Sequence, residues 1–148
     1  MEAVRLSFLL ALLGGFLQLG DSLPRDCSGT CTIQFKCDPY YKDLTWTIVD
    51  KVCRVFKNPC IFASNNCHRE NQCLKVLTAT SQEKCMKYCP ACCPPCGGPP
   101  VCALFTYTDV DGVRKDREVD FSSLCHADQY ACQNADAYIG EPRIGPCK

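Results

Sequence analysis

Regularly repeated cysteines constrain this chain more than any other feature of its sequence. The 148 residues contain 16 Cys, about 11% of the chain, which exceeds the roughly 8–10% that marks a disulfide scaffold. Five cysteines recur after 65 residues and a sixth recurs after 62. The pairs are Cys27 and Cys92, Cys31 and Cys96, Cys37 and Cys102, Cys60 and Cys125, Cys67 and Cys132, and Cys85 and Cys147. The repeat predicts two tandem modules of about 60 residues each.

The first residues predict a secreted protein. Arg5 precedes an apolar run at 6–19, and the small residues Gly20 and Ser22 follow it, which is the pattern of a secretory signal peptide. The run is shorter than the ~20 residues that a membrane span needs, so we expect no membrane anchor. We place the signal peptide at 1–22, with cleavage after Gly20 or Ser22, and expect an extracellular protein.

The cysteine count and the charge balance exclude several classes of function. An even number of Cys in a secreted chain indicates disulfides rather than metal ligands or catalytic thiols, so we expect no metal and no cofactor. The 16 Lys+Arg are balanced by 16 Asp+Glu, which gives no basic face for nucleic acid. No motif places a nucleophile beside His68 or His126, so we expect no enzyme.

The chain divides at a stretch rich in proline and cysteine. This junction lies near 86–95 (MKYCPACCPP), where the prolines suit an irregular connector. We therefore assign residues 23–85 to module 1 and residues 86–148 to module 2.

The cysteine spacing within each module resembles that of the Kazal domain, the small module of many serine-protease inhibitors. Each copy reads Cys-x3-Cys-x5-Cys-x22-Cys-x6-Cys and closes with a Cys after 17 or 14 further residues. Module 1 carries FKNPC at 56–60, and module 2 carries PVC at 100–102 and GPC at 145–147. The two copies resemble tandem, divergent Kazal-type modules that cover the mature chain.

The resemblance implies a small disulfide-rich α+β fold, in which each module is a short helix on a small antiparallel hairpin. The residues agree with this fold. Asp111-Gly112 is a turn signal between two strand-like runs at 104–119. The cysteines seven residues apart, Cys60 and Cys67 in module 1, suit one face of a helix.

The resemblance also implies a disulfide pairing, because the family joins first to fifth, second to fourth and third to sixth cysteine. The implied bridges are Cys27–Cys67, Cys31–Cys60, Cys37–Cys85, Cys92–Cys132, Cys96–Cys125 and Cys102–Cys147. Four cysteines stay outside this scheme. One hypothesis for them is a Cys53–Cys73 bridge, which leaves Cys89 and Cys93 to bond to each other or to a partner chain.

In inhibitory members of the family, the second residue after the second cysteine enters the specificity pocket of the protease. Carried over to module 1, this residue is Ile33, followed by Gln34; in module 2 it is Gly98, followed by Pro99. Gly98 has no side chain to anchor, so we expect no inhibition by module 2. Ile33 is β-branched and stiff, which suits few pockets and leaves an elastase-like enzyme as the expected target.

Two functions of different classes remain open. The first is a soluble binding module, whose partner is an extracellular protein and in particular a serine protease. The second is a structural component of a secretion, such as an insect salivary glue or a matrix, that associates covalently with itself. The unassigned cysteines and the unusual pocket residues favour the second function, whereas the absence of Ser/Thr/Pro repeats argues against a bulk mucin-like material.

Overall fold

The computed structural model describes residues 26–90 and 98–148. The predicted signal peptide and three cysteines, Cys92, Cys93 and Cys96, lie outside the described residues. We call residues 26–90 the N-terminal half and residues 98–148 the C-terminal half. Within them the chain is a small disulfide-rich α+β protein with three helices and two antiparallel sheets.

The N-terminal half is a three-stranded sheet with two helices. Its elements are β1 (Thr45–Val49), β2 (Val52–Phe56), α1 (Pro59–Asn71), β3 (Ala79–Thr80) and α2 (Gln82–Met86). The strand order is β2-β1-β3. Asp50 and Lys51 connect β1 to β2 with φ values of 49° and 64°, so both turn residues are left-handed, as in the tightest type of hairpin.

The C-terminal half repeats this order with a longer hairpin. Its elements are β4 (Val101–Thr108), β5 (Arg114–Phe121), α3 (Leu124–Asn134) and β6 (Tyr138–Ile144), and its strand order is β5-β4-β6. The predicted turn joins β4 to β5. There the Asp109 carboxylate accepts hydrogen bonds from the backbone N–H groups of Asp111 and Val113, and Gly112 has a φ of 78°. The hairpin and helix expected for this half are confirmed.

The 65-residue repeat holds for the helices but not for the first strands. Phe56 and Phe121 end the second strand of each hairpin, and Pro59 and Leu124 begin the following helix. Phe56 pairs with Thr45, whereas Phe121 pairs with Val101, so the first strands are 56 residues apart rather than 65. Trp46 consequently occupies, in the first sheet, the position that Cys102 occupies in the second.

The two halves share one hydrophobic core. Trp46 and Cys53 of the first sheet lie in one buried cluster with Cys85 and with Cys132 of α3. Helix α3 packs on β2, and the Cys89–Cys132 disulfide crosses between the halves at this point. The contact therefore unites a helix of one half with a sheet of the other.

A buried lysine forms a second contact between the halves. Lys57 is 1% exposed, and its ammonium group donates a hydrogen bond to the carbonyl of Thr106 on β4. The same Nζ lies 3.4 Å from Oδ1 of Asp136. The Thr106 hydroxyl in turn donates to the carbonyl of Pro39. A buried ammonium needs such partners, because its desolvation would otherwise cost several kcal/mol.

The halves carry opposite net charges. In the described residues, the N-terminal half has nine Lys and Arg against six Asp and Glu, which gives +3, and the C-terminal half has five against eight, which gives −3. The ion pairs between the halves are Arg54–Asp128 at 3.5 Å, Lys57–Asp136 at 3.4 Å and Arg114–Asp38 at 2.6 Å. Charge complementarity therefore supports the apolar contact.

Asp128 is the most buried acid of these pairs. It is 6% exposed, and the Tyr138 hydroxyl donates to its Oδ1 at 2.7 Å. Burial raises the pKa of the Asp128 carboxyl, against the opposing charge of Arg54. Burial also raises the pKa of the Tyr138 phenol, and the Asp128 carboxylate adds to that effect.

Replacement of the buried lysine should destabilise the whole fold. Lys57→Ala removes the donor to Thr106 and the cation beside Asp136, so we expect the free energy of unfolding to fall by about 2–3 kcal/mol. Chemical denaturation of the oxidised protein measures this change. Lys42→Ala, at an exposed lysine without an ion pair in the described residues, is the control and should change stability by less than about 0.5 kcal/mol.

The raised pKa of Asp128 should make the contribution of this residue to stability greater in acid than at neutral pH. Since its pKa is raised in the folded state, its contribution to stability is complete below the unfolded pKa of about 3.9 and is lost as the pH rises through the folded pKa. Asp128→Asn removes this contribution. Relative to the wild type, the variant should therefore be less stable at about pH 4 than at about pH 7. An equal difference at both values, measured by denaturation, would contradict the assignment; Asp111→Asn is the exposed control.

Candidate functional site

All thirteen cysteines of the described residues are disulfide-bonded. Twelve of them form six pairs: Cys27–Cys73, Cys31–Cys67, Cys37–Cys60, Cys53–Cys85, Cys89–Cys132 and Cys102–Cys147. This number of disulfides fits a protein of an oxidising, extracellular compartment. Among residues 26–90 and 98–148, no helix is long and apolar enough to cross a membrane.

The structure corrects most of the pairing that the family resemblance implied. Four implied bridges are absent: Cys27–Cys67, Cys31–Cys60, Cys37–Cys85 and Cys92–Cys132. Cys102 and Cys147 are bonded as the resemblance implied, and Cys96–Cys125 involves a residue outside the described part of the chain. The hypothetical Cys53–Cys73 bridge is also wrong. Because Cys89 bonds to Cys132, it is not available to Cys93 or to a partner chain.

The different start of the first hairpin explains these corrections. Cys102 lies inside β4, where it is buried and meets Cys147 beyond the end of β6. Cys37 precedes β1 by several residues, so it lies outside the sheet and bonds to Cys60 at the start of α1. Cys53, on β2, bonds instead to Cys85 in the core.

These bridges create an exposed segment that is tied at both ends, which we call the Cys31–Cys37 loop. Cys31 bonds to Cys67 and Cys37 bonds to Cys60, with Cα atoms 5.3 and 5.5 Å apart. Both partners lie on the same face of α1, seven residues apart. The loop has no helix or strand of its own, and most of its residues are exposed. It is the candidate functional site, because it offers side chains to solvent on a rigid support.

An asparagine side chain holds the first end of this loop more closely. The backbone N–H of Cys31 donates to Oδ1 of Asn71 at 2.8 Å, and Nδ2 of Asn71 donates to the Cys31 carbonyl at 2.9 Å. A single amide thus satisfies both backbone groups of one residue, as a neighbouring strand would. The last residue of α1 therefore determines the direction in which the loop begins.

The C-terminal half holds the chain that follows the loop. Arg114 of β5 lies 2.6 Å from the Asp38 carboxylate and 5.1 Å from the centre of the Tyr40 ring. The Tyr40 hydroxyl donates to Asp116 at 2.8 Å, and this hydrogen bond raises the pKa of Tyr40. Nδ2 of Asn58 donates to the carbonyl of Asp38 at 2.9 Å. The C-terminal half, together with Asn58 of the N-terminal half, thus holds the chain where it leaves the loop.

Ile33 and Gln34 lie in the middle of the tied loop. Ile33 is 66% exposed, and Gln34 is exposed beside it. Gly98 and Pro99 are exposed as well, and Gly98 has a φ of 104°. The cysteine that precedes them lies outside the described residues, so the structure shows an anchored loop in the N-terminal half alone.

The observed bonds retain a nested pattern, displaced by one cysteine. Cys31 bonds to Cys67 and Cys37 bonds to Cys60. Cys31 and Cys37 are the second and third cysteines of the repeat, whereas the family's scheme gives such partners to the first and second cysteines. On that count the pocket position moves from Ile33 to Pro39. Pro39 is partly buried and its carbonyl accepts from Thr106, so it does not offer a side chain to a partner.

Three asparagines of the α1 region bind irregular segments of the chain, and none of the three roles was predicted from the sequence. Asn58 caps α1 by accepting from the Ile61 N–H at 3.0 Å, and an asparagine before proline is a recognisable helix start. Asn66 exchanges two hydrogen bonds with the backbone of Leu77, as Asn71 does with that of Cys31. Neither has a local signal, because the partner is distant in sequence.

Two groups of potential metal ligands come together in the described residues. Their members are Cys53, Cys89 and Cys132, and Cys102, Asp120 and Cys147. The cysteines in both groups are disulfide-bonded. A disulfide sulfur provides no thiolate to a metal, so these groups belong to the covalent framework.

No protein-family model, no curated protein and no solved structure matches this chain.

Loss of the Asn71 amide should loosen the loop without unfolding the protein. Asn71→Ala leaves the N–H and the carbonyl of Cys31 without partners, so hydrogen exchange of the Cys31 amide should accelerate by about tenfold. Asn134→Ala is the control, since its Nδ2 donates within α3 to the Tyr130 carbonyl at 2.8 Å. Unchanged exchange of the Cys31 amide in Asn71→Ala would show that the two disulfides alone hold the start of the loop.

Proposed function

We propose that this chain is a secreted, Kazal-like binding protein whose contact element is the Cys31–Cys37 loop. The observation that carries the proposal is the double attachment of this exposed loop to one face of α1. A binding segment that is already ordered loses little conformational entropy when a partner arrives. The disulfides and Asn71 already order this loop when the protein folds.

Ile33 is the side chain that the loop offers to a partner. An isoleucine that is 66% exposed keeps most of its apolar surface in water, and its burial by a partner would contribute roughly 1–2 kcal/mol. Gln34 and Lys36 are exposed on the same short segment and supply polar contacts at the rim. This arrangement, an apolar centre with polar neighbours, is the usual anatomy of a protein interface.

The partner class to test first is a serine protease with a pocket for small aliphatic side chains. Ile33 is β-branched, so a narrow elastase-like pocket suits it better than a deep or charged one. Pro39, which the observed bridges place at the family's pocket position, is partly buried, whereas Ile33 is the exposed apolar side chain of the tied loop. The bond expected to lie across the active site therefore joins Ile33 to Gln34. The ties at Cys31 and Cys37 would keep the two ends of this segment together if that bond were cut.

Removal of the apolar side chain should abolish inhibition. Titration of an elastase-type protease with the oxidised protein should give stoichiometric inhibition, and Ile33→Asp should weaken it by about 100-fold or more. Ile144→Asp is a matched control, because Ile144 is 80% exposed at the end of β6. It should inhibit like the wild type.

The same experiment separates the alternative function. Failure to inhibit elastase-, chymotrypsin-, trypsin- and subtilisin-like enzymes would remove the protease from the proposal. Covalent oligomers on a non-reducing gel would then support a structural component of a secretion. A monomer that inhibits no protease would leave binding to another extracellular protein, for which Ile33→Asp remains the diagnostic variant.

A further inference from the structure

A second site lies on a different face of α1 from the Cys31–Cys37 loop. Between α1, the β1–β2 hairpin and β6 the protein forms a cleft of about 660 Å³. Ligand sites in proteins commonly enclose about 300–1,000 Å³. Because β6 belongs to the C-terminal half, the cleft exists only when the two halves are packed together.

The helix side of this cleft is lined by polar groups that the protein does not use. Ser64, Asn65 and His68 follow helical spacing along one face of α1, and Gln72 is the residue that caps its C-terminal end. Within residues 26–90 and 98–148, none of these four side chains makes a hydrogen bond. Asn66 and Asn71 of the same helix, by contrast, each bind a backbone segment of the protein. The amides on the cleft face therefore keep their full capacity for a ligand.

The charges around the cleft are balanced. Arg54 and Arg69 line it together with Asp50 and Glu141, and the Arg54 guanidinium also lies 3.5 Å from Asp128. Two cations and two anions give no net field that would select an ion. Free carboxylates would repel an anionic ligand, and the guanidinium groups would repel a cationic one. The ligand that suits these groups is neutral and polar.

Aromatic and aliphatic surface completes the lining. Phe56 and Tyr138 face the cleft from the two halves, and Val55 and Ile61 lie beside them. The polar side chains on the helix side of the cleft include hydrogen-bond donors and acceptors, and each of the two amides both donates and accepts. A saccharide hydroxyl group likewise donates and accepts. A saccharide ring also has apolar C–H faces as well as polar edges. We infer that the cleft is a binding site for a neutral saccharide unit, placed against Phe56 and Tyr138 and hydrogen-bonded by Asn65 and Gln72.

Saturation-transfer NMR with two neutral trisaccharides, chitotriose and maltotriose, tests this inference on the oxidised protein. At least one of them should bind to the wild type. The double variant Asn65→Ala with Gln72→Ala should bind it about tenfold more weakly, since each lost hydrogen bond lowers affinity roughly threefold. Gln82→Ala, on exposed α2 and outside the cleft, should bind like the wild type.

Three results would overturn the inference. One is the absence of saturation transfer to both trisaccharides, and another is equal binding by the double variant, provided that its circular dichroism matches the wild type. The third is tighter binding of a sulfated heparin tetrasaccharide than of either neutral sugar, which would assign the cleft to an anion. Ile33→Asp should leave sugar binding unchanged, so this test does not depend on protease inhibition.

Discussion

The packing of α3 on β2 is the interaction on which the rest of this structure depends. It buries Trp46 and Cys53 against Cys132, and the Cys89–Cys132 bridge holds it covalently. A half of about 60 residues buries little apolar surface, so by itself it would be only marginally stable. Two such halves, joined through one core and through complementary charges, reach the size at which a core and its disulfides together suffice.

The same contact supports both proposed sites. The chain after the Cys31–Cys37 loop is held by Arg114 and Asp116 of the second half, and the cleft takes one wall from β6. Helix α1 lies between them and presents a different face to each. A variant that loosens the contact between the halves should therefore affect both sites together, whereas a variant within one site should leave the other intact.

Part of the fold and of the site was readable from the sequence. The family resemblance implied a short helix in each module, which the spacing of Cys60 and Cys67 suited, and Asp111-Gly112 indicated the C-terminal hairpin, because these spacings act over a few residues. Ile33 was singled out by its position after Cys31. The contacts of Arg114 with Asp38 and Tyr40, and the placement of the unused amides in the cleft, could not be predicted from the sequence. Each depends on residues that only the folded chain brings together.

The sequence by itself determined that this protein is a repeated, disulfide-stapled α+β chain, because cysteine number and helical spacing are local properties. The tertiary structure decided which cysteines meet. Both modules have 22 residues between the third and fourth cysteines of the repeat, yet β1 begins eight residues after Cys37, whereas β4 begins one residue before Cys102. Strand pairing is a contact between distant residues, so equal spacing gave unequal bonding, and the loop that carries Ile33 became tied to α1.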